Sequence, residues 1–215
     1  MTQLALPLAL PVDGNNDDFL VSTSNAQAAR GIARWGAWPV MAALLVGPRK
    51  SGRTTLARLF ARQSGGTFID DAERHGEAAL FHAWNNAQAE RLPMLIIADA
   101  PPPVWSVRLP DLRSRLLASP VLTIDNPDEQ LMAALLERDF ARRGLDARPD
   151  LVQWLVSRLE RTHITRMRAV DVLDQAVLET RKRLSIARAR ATLAAAGLLT
   201  EPILPDAQRS GATDI

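Results

Sequence analysis

A run of seven apolar residues, VMAALLV at 40–46, leads without a break into Gly47-Pro48-Arg49-Lys50-Ser51-Gly52-Arg53-Thr54-Thr55, and then into an Ala/Leu/Arg-rich stretch at 54–63. No other feature constrains the fold as much. A continuous apolar run of strand length suits a strand buried on both faces of a parallel sheet. Parallel strands need crossover connections, usually helices, so the chain is expected to be α/β. The loop has the spacing G-x-x-x-x-G-K-[ST] of a phosphate-binding loop, with Arg53 at the lysine position. Two glycines let backbone N–H groups curl around phosphates, and the following helix points its positive end at them. Gly47, Pro48, Lys50, Ser51, Gly52, Arg53, Thr54 and Thr55 are the expected nucleotide-binding residues, with the Thr54 hydroxyl offered to Mg²⁺. Arginine carries the lysine's charge on a bulkier, planar group and does not replace it. Nucleotide binding with weakened hydrolysis is therefore expected. The alternative is a Gly-rich strand-to-helix turn that holds no ligand.

Residues 19–126 continue the α/β pattern. Helical spacing begins at Ser24, an expected N-cap, and runs to Trp35. Strands are expected at 67–69, 94–98 and 121–124, and helices at 73–91 and 111–118. With the strand at 40–46 this makes a four-strand sheet. Asp70-Asp71 close the second strand where a Walker B pair belongs, Asp70 near Mg²⁺ and Asp71 polarising a water. A solvated helix start is the alternative. Asp99 ends the third strand, at the carboxyl edge where open α/β sheets bind ligands and where ATPases of this build place a γ-phosphate sensor. A turn aspartate ahead of Pro101-Pro102-Pro103 is the other reading. Arg113 and Arg115 stand two apart on one helix and so face different ways.

After Asn126-Pro127 the pattern becomes wholly helical, with helices expected at 128–143, 149–161, 166–183 and 185–197. The expected organisation is a flexible N-terminal peptide and linker at 1–18, the α/β base at 19–126, a helical unit at 127–199 and a disordered tail at 200–215. Gln3-Leu4-Ala5-Leu6-Pro7-Leu8, ahead of an acidic linker, cannot bury its leucines in itself and is expected to bury them against a partner or its own domain. His75, His82 and His163 share no metal-ligand spacing, and the five tryptophans read as core.

Composition excludes several classes. There is no cysteine, hence no disulfide framework, Cys-ligated zinc or thiol nucleophile. No apolar run reaches membrane-spanning length, and the start has no basic n-region or small-residue cleavage site. A cytoplasmic chain is expected. The net charge is only +2, yet the pI is near 9.9, because no Tyr or Cys titrates between neutrality and the Lys/Arg range. That pI alone is no argument for nucleic-acid binding.

The order of motifs is Q-L-x-L-P-L, F-L-V-x-x-x-S-N-A from Phe19, G-P-x-x-x-G-R-T, I-D-D-A-E from Ile69, A-D-A-P-P-P and L-P-D-L-R-S-R-L. Together they resemble the Hda family, DnaA-homologous AAA+ regulators of the bacterial replication initiator DnaA. The resemblance implies a P-loop AAA+ α/β base, shortened here by one strand and helix, followed by an all-helical lid. It implies that Gln3, Leu4, Leu6, Pro7 and Leu8 bind the DNA polymerase sliding clamp. It implies that Arg115 enters the nucleotide site of DnaA as an arginine finger and drives ATP hydrolysis there. DNA is then met only indirectly, through the clamp, and no membrane is involved. The implied cofactor is ADP or ATP with Mg²⁺, ADP being favoured and an empty site the alternative. A homodimer is left open. Ile164 stands where such ATPases carry a sensor arginine, with Arg166 and Arg168 off register. Intrinsic turnover is therefore not expected. Two readings from other classes remain: a self-contained P-loop ATPase or nucleotide kinase, and an AAA+ protein that binds DNA directly through its Arg-rich lid.

Overall fold

The computed structural model describes residues 19–200, so the expected clamp peptide at 3–8 and the tail at 201–215 lie outside the described residues. The chain divides between Leu131 and Met132 into two compact units.

The first unit is built on a four-stranded parallel sheet. Its strands are β1 (Ala42–Val46), β2 (Thr67–Ile69), β3 (Met94–Ala98) and β4 (Val121–Thr123), in the order β2-β3-β1-β4. Strand β1 pairs in parallel with β3 and β4, and β2 with β3. Every residue of β1 and β3 is buried, as their unbroken apolar runs require. Alternation sorts them to two cores. Leu44, Val46, Ile96 and Ala98 face one cluster with Leu80, Trp84, Leu112 and Leu116. Ala43, Leu45, Leu95 and Ile97 face the other with Ile32, Leu56, Phe60 and Leu122. The first cluster draws on α3 (Glu77–Glu90) and α4 (Pro110–Ala118), the second on α1 (Ala26–Ala33) and α2 (Arg53–Ser64). In the second, Trp38 stacks on Phe60 with ring centroids 5.7 Å apart and donates its indole N–H to the Gly31 carbonyl at 2.9 Å.

Two expectations for this unit need correction. The helix at 73–91 is broken: a 3-10 turn at Ala72–Arg74 is followed by extended Gly76, and α3 starts only at Glu77. The acids of the broken stretch are used elsewhere. Glu73 accepts the backbone N–H of Asp99, and Glu77 accepts those of Arg108 and Leu109 at 2.9 and 2.6 Å, which hold its carboxyl below the usual range. Likewise, Ser24 is not the N-cap of α1. Its backbone N–H donates to Asp128 at 3.2 Å and its carbonyl accepts from Asp125, so the helix begins two residues later.

The second unit is helical. Helix α5 (Glu129–Arg142) runs into it, followed by α6 (Pro149–Arg158), α7 (His163–Thr180) and α8 (Ile186–Ala195). Its core gathers Met132, Leu136, Phe140, Leu155, Val170, Leu173 and Leu193. Helix α7 starts three residues earlier than its pattern suggested, because Thr162 caps it by accepting the Thr165 N–H at 3.1 Å. It ends at Thr180 with Arg181 in the left-handed conformation, φ 52°. Thr200, assigned to the tail, is held by the Arg158 carbonyl, which accepts its N–H and its hydroxyl at 2.9 Å each. Arg166 is buried and ion-paired with Asp139, while Ile164 is about half exposed. Among the described residues no helix is long and apolar enough to cross a membrane.

Candidate nucleotide site

The loop between β1 and α2 is shaped by close approaches. Gly47 has φ 151°, and a Cβ there would lie 2.4 Å from the Ile124 carbonyl oxygen, so the residue just after β4 leaves room only for glycine. Lys50 is left-handed, φ 66°, and the Ser51 N–H closes back on the Pro48 carbonyl at 3.3 Å. Gly52, φ 91°, precedes the first turn of α2, whose N–H groups have no partner within the helix.

These elements frame a cleft of about 370 Å³ lined by Arg49, Lys50, Gly52–Thr55, Asp70 and Asp71. Of the residues singled out from the sequence, the fold brings Lys50, Gly52, Arg53, Thr54, Thr55, Asp70 and Asp71 to this one cleft. Gly47, Pro48 and Ser51 shape the loop behind it. The Thr54 hydroxyl donates to the Asp70 carboxylate at 2.6 Å, joining the end of β2 to the start of α2. Asp70 also accepts the Asp71 N–H at 2.9 Å, and Asp71 is left-handed, φ 48°.

Arg53, although it lines the cleft, is only 7% exposed. It donates to the Ala98 carbonyl and, at 2.8 Å, to the Asp99 carboxylate. Asp99 accepts a second arginine, Arg49, at 3.1 Å. The hydrogen bond from Arg53 and then that from Arg49 hold the Asp99 carboxyl below its ordinary range, and Asp99 in turn raises Arg49. The charge at the lysine position is thus engaged by the end of β3. Sequence reasoning missed Arg49 and Glu73, whose partners lie 50 and 26 residues away. The only signal for either was its place inside a motif.

Arg115 is not in this cleft. Its guanidinium lies 4.6 Å from the Trp84 ring centroid and 4.9 Å from that of Phe81, on α3. The Ser119 hydroxyl completes the contact, donating to the Arg115 carbonyl at 2.9 Å and accepting the Trp84 indole N–H at 3.2 Å. Arg113, on the same helix, is exposed.

The residues present fit a magnesium nucleotide. Asp70 and Thr54 supply hard oxygen donors, and no cluster of three or more metal-ligating side chains exists among the described residues. Phosphate oxygens and water would complete the sphere, the usual way Mg²⁺ is held. The buried Ser51 hydroxyl has no hydrogen-bond partner among the described residues, leaving a donor in the loop.

No protein-family model matches the chain. An uncharacterized protein of Haemophilus influenzae is 32% identical over 111 residues, which cover 51% of this chain and 48% of that protein. The chain thus spans about half the length of this curated relative. Domain III of the Thermotoga maritima replication initiation protein DnaA superposes with TM-score 0.69 at 14% identity, covering 82% of this chain and 94% of that one. DnaA bound to AMPPCP and single-stranded DNA gives 0.57 at 13% identity, covering 74% and 62%. The Thermotoga maritima RuvB Holliday junction branch migration motor gives 0.58 at 17% identity, covering 79% and 66%. The parallel four-strand sheet with flanking helices followed by a helical unit is therefore an AAA+ fold of the kind found in DnaA and RuvB.

Proposed function

We propose that the chain is a regulatory adaptor of the Hda kind, which binds the sliding clamp through Gln3, Leu4, Leu6, Pro7 and Leu8 and stimulates hydrolysis of DnaA-bound ATP with Arg115. The observation that carries this reading is the likeness in fold to DnaA domain III across 94% of that domain. AAA+ modules of one kind place a nucleotide of one subunit against an arginine of the next, so a DnaA-like module is suited to complete a DnaA site. In GTPases a finger of this sort is worth about 10³–10⁵ in rate. Its own site takes ADP or ATP with Mg²⁺ at Thr54 and Asp70, with Lys50, Thr55 and the first-turn N–H groups of α2 at the phosphates. The engagement of Arg53 by Asp99 supports a site that binds and does not turn over. Arg115 must leave the Trp84 and Phe81 rings to reach a partner's nucleotide.

The test combines purified chain, DnaA loaded with radiolabelled ATP, and clamp assembled on DNA, and follows conversion to ADP. Acceleration that is lost in Arg115→Ala and in Leu6→Ala/Leu8→Ala supports the reading. Full acceleration by Arg115→Ala would remove the finger, and unchanged clamp binding by the leucine variant would remove the peptide. The Thr54–Asp70 hydrogen bond favours one second reading, a self-contained P-loop ATPase. That reading predicts ATP turnover by the chain alone, abolished by Asp70→Asn.

A further inference from the structure

The reading above leaves one strongly charged surface without a role. Residues 181–200 contain five bases and no acid. The five are Arg181, Lys182, Arg183, Arg188 and Arg190, and all are exposed at the corner between α7 and α8. Among the described residues none of them has an ion-pair partner. Five acids of the helical unit are engaged with other side chains, and Asp146 is the one acid that lines the same cleft as the bases. Asp139 holds Arg166, Asp150 holds Arg148, Asp171 and Asp174 hold Arg143, and Glu179 accepts from Gln175. Arg181, Lys182 and Arg183 border a cleft of about 320 Å³ shared with Gly144, Leu145 and Asp146. The Arg188 guanidinium donates to the Arg183 carbonyl at 2.8 Å, tying α8 to the same turn, and Arg190 lies 5.8 Å from the Trp154 ring centroid.

Like charges packed this closely repel, and solubility alone is served by mixed signs. A polyanion relieves the repulsion. Four of the five bases are arginines, whose planar fork pairs with phosphate oxygens. Among the described residues of the helical unit the exposed large apolar side chains are Ile164 and Leu178, too few to seat an amphipathic helix in a bilayer. We infer that the α7–α8 corner is a direct, sequence-independent binding surface for the phosphate backbone of duplex DNA. This inference does not rest on the adaptor reading, and its test contains neither clamp nor DnaA.

The experiment is fluorescence anisotropy of a labelled duplex of about 20 base pairs titrated with the full chain from 50 to 200 mM salt. With about four phosphates neutralised, log K should fall against log salt with a slope near −3.6, a loss of roughly a hundred-fold over that range. Lys182→Gln/Arg183→Gln should flatten the slope by about 2 and weaken binding at 50 mM at least ten-fold. Lys182→Arg/Arg183→Lys, which keeps the charge, should bind as the parent does, and so should Arg30→Gln/Arg34→Gln in and just after α1. Thermal melting of each variant separates lost binding from lost folding. No duplex binding by the folded parent, or binding that the Gln pair leaves unchanged, would overturn the inference. So would tighter binding to anionic vesicles, or equal competition by polyglutamate of matched charge.

Discussion

Replacing Arg53 by methionine separates a structural arginine from a phosphate ligand. In the structure Arg53 is 7% exposed and its guanidinium makes two hydrogen bonds, to the Ala98 carbonyl and to the Asp99 carboxylate. Hydrogen bonds to charged groups contribute about 1.5–3 kcal/mol, and a buried carbonyl left unpaired costs about 1–3 kcal/mol. Asp99 is about half exposed and keeps Arg49, so it rehydrates at little cost. Arg53→Met should therefore destabilise the first unit by about 2–3 kcal/mol with no nucleotide present. In a double-mutant cycle with Asp99→Asn, about 1 kcal/mol should appear as coupling. Urea unfolding followed by tryptophan fluorescence reads the right unit, since Trp35, Trp38, Trp84 and Trp105 lie in it and only Trp154 lies in the other. The expected midpoint shift is about 1 M at an m-value near 2 kcal/mol/M. The sign with pH follows from the lowered Asp99 carboxyl. Its stabilisation is full above the unfolded value, near 4, and is lost as pH falls below it, so the gap between parent and variant should narrow in acid. A variant within about 0.5 kcal/mol of the parent, or a cycle without coupling, would refute the engagement of Arg53 by β3.

Three other perturbations test neighbouring parts. Asp128 caps α5 through the Leu131 N–H at 2.8 Å and accepts from Thr23 and Ser24, and its carboxyl lies at about 2. Because burial opposes this lowering and the hydrogen bonds outweigh it, Asp128→Ala should cost about 1–2 kcal/mol above pH 4, an effect that vanishes as pH falls toward 2, measured by urea melts across pH. Arg115→Ala should lower stability by about 1–2 kcal/mol through loss of its two aromatic contacts, so partner assays need matched folded concentrations, checked by thermal melting. Gly47→Ala drives a methyl to 2.4 Å from the Ile124 carbonyl and should cost more than about 2 kcal/mol, read as a fallen unfolding midpoint; a neutral effect would contradict the packing of the loop on Ile124.

What could be read along the chain was what local chemistry dictates. The runs at 40–46 and 94–98 are apolar throughout because both faces are covered, so their burial and parallel pairing followed from composition alone. The strand–loop–helix at Gly47–Thr55 and the helical period after Pro127 were equally local, and the four strand-length segments at 40–46, 67–69, 94–98 and 121–124 counted the sheet at four strands. The interrupted helix at 73–91 was not legible, since its period is intact and the break comes from Glu73 and Glu77 reaching backbone N–H groups 26 to 32 residues away.

The same division runs through the candidate site. Spacing by itself determined that a glycine loop, Thr54 and the Asp70-Asp71 pair would meet at one edge of a parallel sheet, because strand ends and helix starts are placed by backbone geometry. Only the tertiary structure decided where the long side chains go. Arg53 turns to Asp99, Arg49 joins it, Arg115 lies on Trp84 and Phe81, and the bases at 181–190 gather at one corner with Asp146 beside them and no ion-pair partner among the described residues. A guanidinium on a flexible stem takes whichever carboxylate, carbonyl or aromatic face the fold brings within reach, and that neighbour is chosen by packing across tens of residues.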